Sequence, residues 1–187
     1  MITKRDQDIL NFIEDFKIAT TEQIHRIFFK DVSYRYCAKR LEYLLEIGEV
    51  KKTRSTIDNC NAYYLSNKPV QLHHNIIRAE LYSFIINTYQ IMEWHNEYSF
   101  LTIRPDAFAY ISDHDIIFPI FIEIHLGNSF NFDKYSILFK ENDLKTLFGI
   151  MPRVLICTDR NISLPKTSPI KYKVVEVDMK GLDSLFR

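Results

Sequence analysis

The first 65 residues constrain the fold most strongly, because they carry three helix patterns in a row with specific signals at their ends. The tetrapeptides at residues 3–6 (Thr-Lys-Arg-Asp) and 20–23 (Thr-Thr-Glu-Gln) have the spacing of capping boxes, which begin helices. Gly48 follows a third helix pattern over residues 34–47, at a position where a positive φ is favoured. The chain should therefore begin with a domain of three short helices.

Two short strand patterns follow these helices. Residues 50–54 (Val-Lys-Lys-Thr-Arg) and residues 62–65 (Ala-Tyr-Tyr-Leu), with a turn signal near Asp58 and Asn59 between them, predict a β-hairpin. Three helices followed by such a hairpin, the wing, are the element order of a winged helix-turn-helix. The sequence predicts this domain over residues 1–68, ending where Pro69 interrupts regular structure.

Positive charge is concentrated in the part of this domain that would face a nucleic acid. The segment from Arg26 to Arg54 holds eight basic and four acidic residues, although the whole chain has 24 of each. In a winged helix the third helix enters the major groove and the wing contacts the flanking backbone. The predicted contacts with double-stranded DNA are Arg35, Tyr36, Lys39 and Arg40 on the helix, and Lys51, Lys52 and Arg54 on the wing. A protein-docking or dimerisation domain is the alternative.

The composition excludes several classes of protein. No apolar run approaches the roughly 20 residues that a membrane-spanning helix needs, so no membrane partner is expected. Acidic residues interrupt the first 16 positions, which argues against a signal peptide and predicts a cytoplasmic protein. The three cysteines form no CxxC pair and the four glycines form no phosphate-binding loop. A disulfide framework, a structural zinc site and a small-molecule substrate are therefore not expected.

Residues 69–187 predict a small α/β domain around a mixed sheet, which makes the chain as a whole α+β. A long helix is expected over residues 72–89 and a second helix over residues 133–148. Strands are expected over residues 98–103, 106–111, 116–125, 153–157 and 173–177. The strand at 116–125 is apolar on both faces between Ile116 and Ile122, and it should therefore lie at the centre of the sheet.

Two acidic residues stand where this sheet would bring them together. Asp106 precedes one strand, and Glu123 lies in the central strand with 16 residues between them. Residues two apart on a strand face the same way, so His125 would point into the same cleft as Glu123. Paired carboxylates bind Mg²⁺, which activates water for phosphodiester hydrolysis.

In order and spacing these elements resemble the core of the PD-(D/E)XK, or restriction-endonuclease-like, nuclease superfamily. The resemblance implies catalytic acids at Asp106 and Glu123, and a third metal ligand at Glu80 on the long helix. His125 stands where the motif has a lysine, and a neutral imidazole cannot replace a permanent cation. Lys134, about one helical turn into the next element, is the expected replacement. We expect a nuclease-like domain that has lost activity and needs no cofactor. The alternative is a Mg²⁺-dependent endonuclease that uses Asp106 and Glu123, with Glu80 as a further ligand, and Lys134 or His125.

Nearly the whole chain resembles the replication-relaxation family of plasmid, phage and integrative-element proteins. The residues that carry the resemblance are Thr3-Lys4-Arg5-Asp6, Thr20-Thr21-Glu22-Gln23-Ile24, Arg40-Leu41, His73-His74-Asn75, Arg104-Pro105-Asp106-Ala107, Glu123-Ile124-His125 and Lys134-Tyr135. The family tends to have Glu-x-Asp where this chain has Glu123 and His125. The resemblance implies a winged helix joined to a nuclease-like domain in replication or maintenance of a mobile element.

The expected function is therefore sequence-specific binding of duplex DNA in replication or transcription control. The protein is expected to be a homodimer, and its second domain would add dimerisation or further DNA contact. Two alternatives stay open: a Mg²⁺-dependent DNA endonuclease, and a protein-interaction module that does not bind DNA.

Overall fold

The chain has a mixed α+β structure, and the computed structural model describes residues 1–55, 57, 59–113, 116–127, 129–182 and 185. The helices among these residues are α1 (Lys4–Phe16), α2 (Thr21–Phe28), α3 (Tyr34–Glu46), α4 (Leu72–Thr88), α5 (Asp133–Glu141) and α6 (Leu144–Phe148). The strands are β1 (Ala19–Thr20), β2 (Lys51–Arg54), β3 (Asn61–Tyr64), β4 (Gln90–Asn96), β5 (Ala107–Asp113), β6 (Ile116–His125), β7 (Arg153–Thr158) and β8 (Lys171–Glu176). Within the described residues, no helix combines the length and apolar character that crossing a membrane requires.

Two compact units divide the chain, Met1–Ser83 and Phe84–Arg187. The division falls inside α4, whereas the sequence suggests a boundary just before Pro69. The first turns of α4 belong to the first unit because Ile76 packs in a small core with Ile18 of that unit. A proline interrupts regular structure, but it does not decide where two hydrophobic cores separate.

Local signals in the first unit form the caps that the sequence predicts. Thr3 and Asp6 make a reciprocal capping box at the start of α1, and Thr20 and Gln23 make another at the start of α2. Gly48 follows the end of α3 with a φ of 81°. The boxes satisfy backbone N–H groups that the beginning of a helix leaves without partners, so these helices begin where their caps stand.

The hairpin of the first unit belongs to a three-stranded antiparallel sheet in the order β1-β3-β2. Strand β1 is two residues long, which is too short for a sequence pattern to predict. Tyr63 at the centre pairs with Ala19 on one side and with Lys52 on the other. The helices of this unit bury an apolar core whose fully buried members include Ile9, Ile13, Ile24, Leu41 and Leu44.

The second unit contains a mixed five-stranded sheet in the order β4-β5-β6-β7-β8. The pairs β4–β5 and β5–β6 are antiparallel, and the pairs β6–β7 and β7–β8 are parallel. Strand β6 is central, as its sequence predicts, and every residue from Phe118 to Ile124 is buried. Glu123 is the charged residue in this apolar strand, and its environment therefore has to compensate a buried carboxylate.

The prediction of a strand over residues 98–103 is wrong. That segment is a turn closed by an isolated bridge between Phe100 and Ile103, and β4 lies earlier in the chain. Glu97 and Leu101 have positive φ values of 52° and 48°, which turn the backbone out of an extended path. The aromatic side chains that suggest a strand pack against the core of the unit instead.

The helix expected over residues 133–148 is divided into α5 and α6. Asn142 has an extended backbone with a ψ of 137°, which ends α5. Asp143 then accepts a hydrogen bond from the backbone N–H of Thr146 at 3.2 Å and so caps α6. The apolar pattern continues across the break, which is why the sequence alone suggests one helix.

Candidate functional site

The exposed side of α3 carries three of the residues predicted to contact DNA. Arg35, Tyr36 and Lys39 are exposed, whereas Cys37 and Leu41 on the opposite side are buried. Residues three and four positions apart share a helix face, so Lys39 lies beside both Arg35 and Tyr36. The N-terminal turns of α3 therefore present two positive charges and one aromatic ring to solvent.

The hairpin presents a second basic segment. Lys51, Lys52 and Arg54 of β2 are exposed. Lys51 Nζ donates a hydrogen bond to the carbonyl oxygen of Ser66 at 2.6 Å, and Arg54 Nη1 donates to that of Asn59 at 3.0 Å. These acceptors are neutral, so no acidic side chain in the described part of the chain compensates either charge.

Arg40, the fourth residue predicted on α3, is held inside the unit by an ion pair. Its Nε donates to Asp6 Oδ1 at 2.8 Å, and its Nη2 donates to Asp6 Oδ2. The side chain of Asp6 is 1% exposed and that of Arg40 is 24% exposed. Hydrogen bonds from Arg40 and Thr3 hold the pKa of Asp6 well below its ordinary value, although burial acts in the opposite direction. Arg40 thus joins α3 to the cap of α1, and its contact with DNA stays a prediction.

The second unit has a cluster of polar side chains near the C-terminal end of β6. We call it the carboxylate cluster, and its members are Asp106, Glu123, Lys134 and Tyr135. Glu123 Oε1 accepts hydrogen bonds from Lys134 Nζ at 2.7 Å and from Tyr135 Oη at 2.5 Å. Both donors stand in the first turn of α5, so one helix supplies them to one oxygen atom.

Asp106 lies beside Glu123 because of the register of the sheet. Ala107 of β5 pairs with Ile122 of β6 in an antiparallel ladder, which brings the preceding Asp106 next to the following Glu123. Asp106 Oδ2 also accepts a hydrogen bond from the backbone N–H of Ile124 at 2.7 Å. The structure therefore brings together Asp106, Glu123 and Lys134, as the sequence suggests.

Burial is the main electrostatic influence on this cluster. It raises the pKa of Glu123, which is 7% exposed, and the negative charge of Asp106 acts in the same direction. Hydrogen bonds from Lys134 and Tyr135 lower the pKa of Glu123 without cancelling the effect of burial. Burial also raises the pKa of Tyr135 well above its ordinary value, and the neighbouring Glu123 raises it further. Tyr135 is therefore a protonated donor at neutral pH.

Tyr135 is the member of the cluster that sequence reasoning misses. Neighbouring residues on a helix point about 100° apart, so Lys134 alone is expected to face the strand. The structure shows both side chains reaching Glu123 from the first turn of α5. A signal does exist, since a carboxylate in an apolar strand needs more than one donor and a tyrosine follows the expected lysine.

His125 shares a face of β6 with Glu123, but no described hydrogen bond joins them. Its Nε2 atom is buried and has no hydrogen-bond partner within the described residues. The ring lies edge-on to Phe130 with centroids 5.5 Å apart, and a Cβ at Gly127 would stand 3.1 Å from its Cε1. His125 thus packs against the segment after β6, and its catalytic role stays a prediction.

Glu80, the expected third metal ligand, has partners in the first unit. Its Oε1 accepts a hydrogen bond from Arg26 Nη1 at 2.8 Å, and its Oε2 accepts one from Gln23 Nε2 at 2.8 Å. Among the side chains that the structure describes, no group of three or more histidines, cysteines, aspartates and glutamates is arranged to hold a metal ion. A metal site formed by Asp106, Glu123 and Glu80 stays a prediction.

Replacing Glu123 with glutamine should remove a pH dependence from the stability of the protein. An acid whose pKa is raised by folding stabilises the fold fully below its ordinary pKa, here 4.5, and this contribution is lost as the pH rises through the raised value. We expect the unfolding free energy of the wild type to fall over this pH range relative to that of Glu123→Gln. Urea unfolding followed by the fluorescence of Trp94, the single tryptophan, measures both proteins between about pH 4 and about pH 8. Parallel pH profiles would contradict this prediction.

The chain was compared with known protein families, curated proteins and solved structures. No protein-family model matches the chain, and no curated protein matches it. Among solved structures, the crystal structure of protein VC1899 from Vibrio cholerae is similar, with 13% sequence identity and a TM-score of 0.40. The similarity covers 83% of this chain and 42% of the other, so the chain spans less than half the length of that protein. A similarity at this level carries no argument about function.

Proposed function

We propose that this chain is a duplex DNA-binding protein whose first unit is a winged helix-turn-helix. The order of its elements supports this class: α1, α2 and α3 precede the β2–β3 hairpin, and β1 completes a three-stranded sheet. In winged helices that bind DNA, the third helix enters the major groove and the hairpin lies along the flanking backbone.

The observation that carries the proposal is the positive charge of Arg35, Lys39, Lys51, Lys52 and Arg54, for which the described residues offer no acidic partner. Lysine and arginine side chains beside phosphates release counterions, which supplies most of the affinity that does not depend on base sequence. We assign Lys51, Lys52 and Arg54 to the phosphates. Arg35 and Lys39, with Tyr36 between them, are assigned to base edges and to the phosphates that border the groove.

The second unit is proposed to be a nuclease-like domain without activity. Its mixed sheet supports this class, with an acid before one strand and a buried acid in the central strand. It would hold two copies together so that their third helices lie about 34 Å apart, one turn of the duplex. Control of replication or transcription on a plasmid, phage or other mobile element is the proposed process, and it follows from the sequence resemblance alone.

Binding to a labelled duplex at two salt concentrations, with and without Mg²⁺, tests the proposal. We expect the duplex to be bound intact, with an affinity that falls steeply as salt rises, because each neutralised phosphate contributes about 0.9 to the slope of log K against log salt. Absence of binding at low salt would contradict the proposal and leave a protein-interaction module. Duplex shortened only with Mg²⁺ would instead support a second candidate function.

That second candidate is a Mg²⁺-dependent DNA endonuclease, and the contact between Lys134 and Glu123 favours it. Lys134 Nζ lies 2.7 Å from the carboxylate oxygen and supplies the cation that His125 cannot. Asp106 and Glu123 provide oxygen ligands of the kind that Mg²⁺ prefers, and when bound this ion would supply an activated water. Lys134 would stabilise negative charge on the scissile phosphate.

Under this second candidate, Lys134→Met should lower the rate of Mg²⁺-dependent cleavage by about 100-fold or more, because one fixed charge donor is lost from the reacting phosphate. Lys140→Met is the matched control, since Lys140 is an exposed lysine of the same helix. Gel analysis of a labelled duplex measures both variants, and far-UV circular dichroism checks that both are folded. Equal cleavage by the two variants would exclude Lys134 from the reaction.

A further inference from the structure

A further basic side chain lies beside the proposed DNA-contacting face of the first unit. Arg5 is exposed in the first turn of α1, and its guanidinium carbon lies 4.9 Å from the centre of the Phe29 ring. The ring of Phe29 also packs edge-on against Tyr36, with centroids 6.0 Å apart. Phe29 thus connects a residue of α1 with the exposed N-terminal end of α3.

The contact with Phe29 orients Arg5 without using its hydrogen-bond donors. Phe29 is 2% exposed, so its position is set by the core of the unit and the ring is a rigid support. A cation over an aromatic face is held by the ring quadrupole, and the N–H groups at the rim of the guanidinium remain available. Within the described residues no acidic side chain pairs with Arg5, in contrast to Arg40, whose charge Asp6 compensates.

We propose that Arg5 is an additional DNA-contacting residue, which binds a backbone phosphate next to the stretch of duplex that Tyr36 and Lys39 meet. This inference rests on the proposed DNA binding. A planar guanidinium that presents several donors in a fixed orientation matches the geometry of a phosphate. Phe29 is then a positioning residue: it does not touch DNA, but it keeps Arg5 beside Tyr36.

Arg5→Gln tests the inference, because it removes the charge and keeps a polar side chain of similar length. We expect the affinity for a labelled duplex to fall about three- to tenfold and the slope of log K against log salt to fall by about 0.9, the contribution of one phosphate. Lys17→Gln is the control. It removes an exposed charge at the other end of α1, about 18 Å away at 1.5 Å per residue.

Phe29→Leu tests whether Phe29 acts by positioning Arg5 and not by touching DNA itself. With leucine in the core position, Arg5 keeps its charge and loses its support, so the affinity should fall about two- to threefold while the salt slope stays unchanged. In an Arg5→Gln background the same change should lower the affinity less than it does in the wild type, because Arg5 is no longer there to lose its support. Circular dichroism checks that each variant is folded.

The outcomes distinguish this inference from the proposal on which it depends. Salt-sensitive binding by the wild type that Arg5→Gln leaves unchanged would overturn the role of Arg5 alone. Equal losses in Arg5→Gln and Lys17→Gln would also overturn it, because they would indicate an effect of net charge. Absence of any duplex binding by the wild type would overturn the proposed function together with this inference.

Discussion

Arg40→Met is expected to lower the free energy of unfolding by about 3 kcal/mol, the cost of leaving a buried charge without its partner. The carboxylate of Asp6 is 1% exposed, and Arg40 is its cationic partner through both oxygens. Thr3 would remain as a donor to Asp6, but a neutral hydroxyl and a backbone N–H do not neutralise an ionised acid. The connection between α1 and α3 should weaken accordingly.

Arg35→Met is the matched control for this prediction. It is the same change on the same helix, at an exposed residue for which no ion pair is described. Urea unfolding followed by far-UV circular dichroism gives both free energies. Adding Asp6→Asn to Arg40→Met should recover part of the loss, because the unpartnered charge is then absent. Equal stability of the two single variants would show that the ion pair contributes nothing.

The same pair predicts how stability depends on acidity. The pKa of Asp6 is lowered by folding, so its contribution is fully present above the ordinary pKa of 3.8. That contribution is lost as the pH falls below this value towards the lowered one. The wild type should therefore lose stability in acid, and Arg40→Met should lose less, because its Asp6 no longer has the partner that lowers the pKa.

The second large effect is expected for DNA affinity. Lys39→Ala combined with Lys52→Ala should weaken duplex binding at least tenfold at physiological salt and lower the slope of log K against log salt by about 2. The reason is the loss of two phosphate contacts, one from α3 and one from the hairpin. Fluorescence anisotropy of a labelled duplex at several salt concentrations measures both quantities.

The control for that double variant removes two charges elsewhere in the first unit. Lys17 and Lys68 are exposed, and Lys17 borders one cavity together with Ser66 and Asn67. Lys17→Ala with Lys68→Ala should change the affinity little, because these residues belong to neither α3 nor β2. An unchanged affinity in the Lys39 and Lys52 variant would disprove the assigned interface, whereas equal losses in both variants would indicate an unspecific effect of charge.

Much of the local structure could be predicted from sequence. The capping boxes at Thr3 and Thr20 are contacts between residues three apart. Gly48 has a positive φ, a conformation that glycine adopts more easily than other residues. The position of β6 at the centre of the sheet could also be predicted, because a strand covered on both faces must be apolar on both. These features depend on contacts between residues close in the sequence, or on whether a whole segment is buried.

The candidate site could be predicted only in part. The sequence indicates Asp106 and Glu123 as site residues because they are acids in predicted strands. It does not indicate Tyr135, because neighbouring residues on a helix point in different directions and Lys134 is the one expected to reach Glu123. The strand at residues 98–103 was predicted wrongly because its aromatic residues have the same pattern in a strand and in a turn that packs on the core. The turn contains positive φ values at Glu97 and Leu101, which the residue types do not indicate.

By itself, the sequence determined where the helices of the first unit begin, which strand is central and which residue types could carry chemistry. Only the tertiary structure decided which charged residues form ion pairs and which face solvent. Arg35 and Arg40 stand on one helix, yet Arg40 is paired with an acid 34 positions earlier in the chain and Arg35 faces solvent. Lys134 likewise meets Glu123 across 11 positions. The physical reason is that an ion pair depends on distance in space, and the packing of whole elements sets that distance.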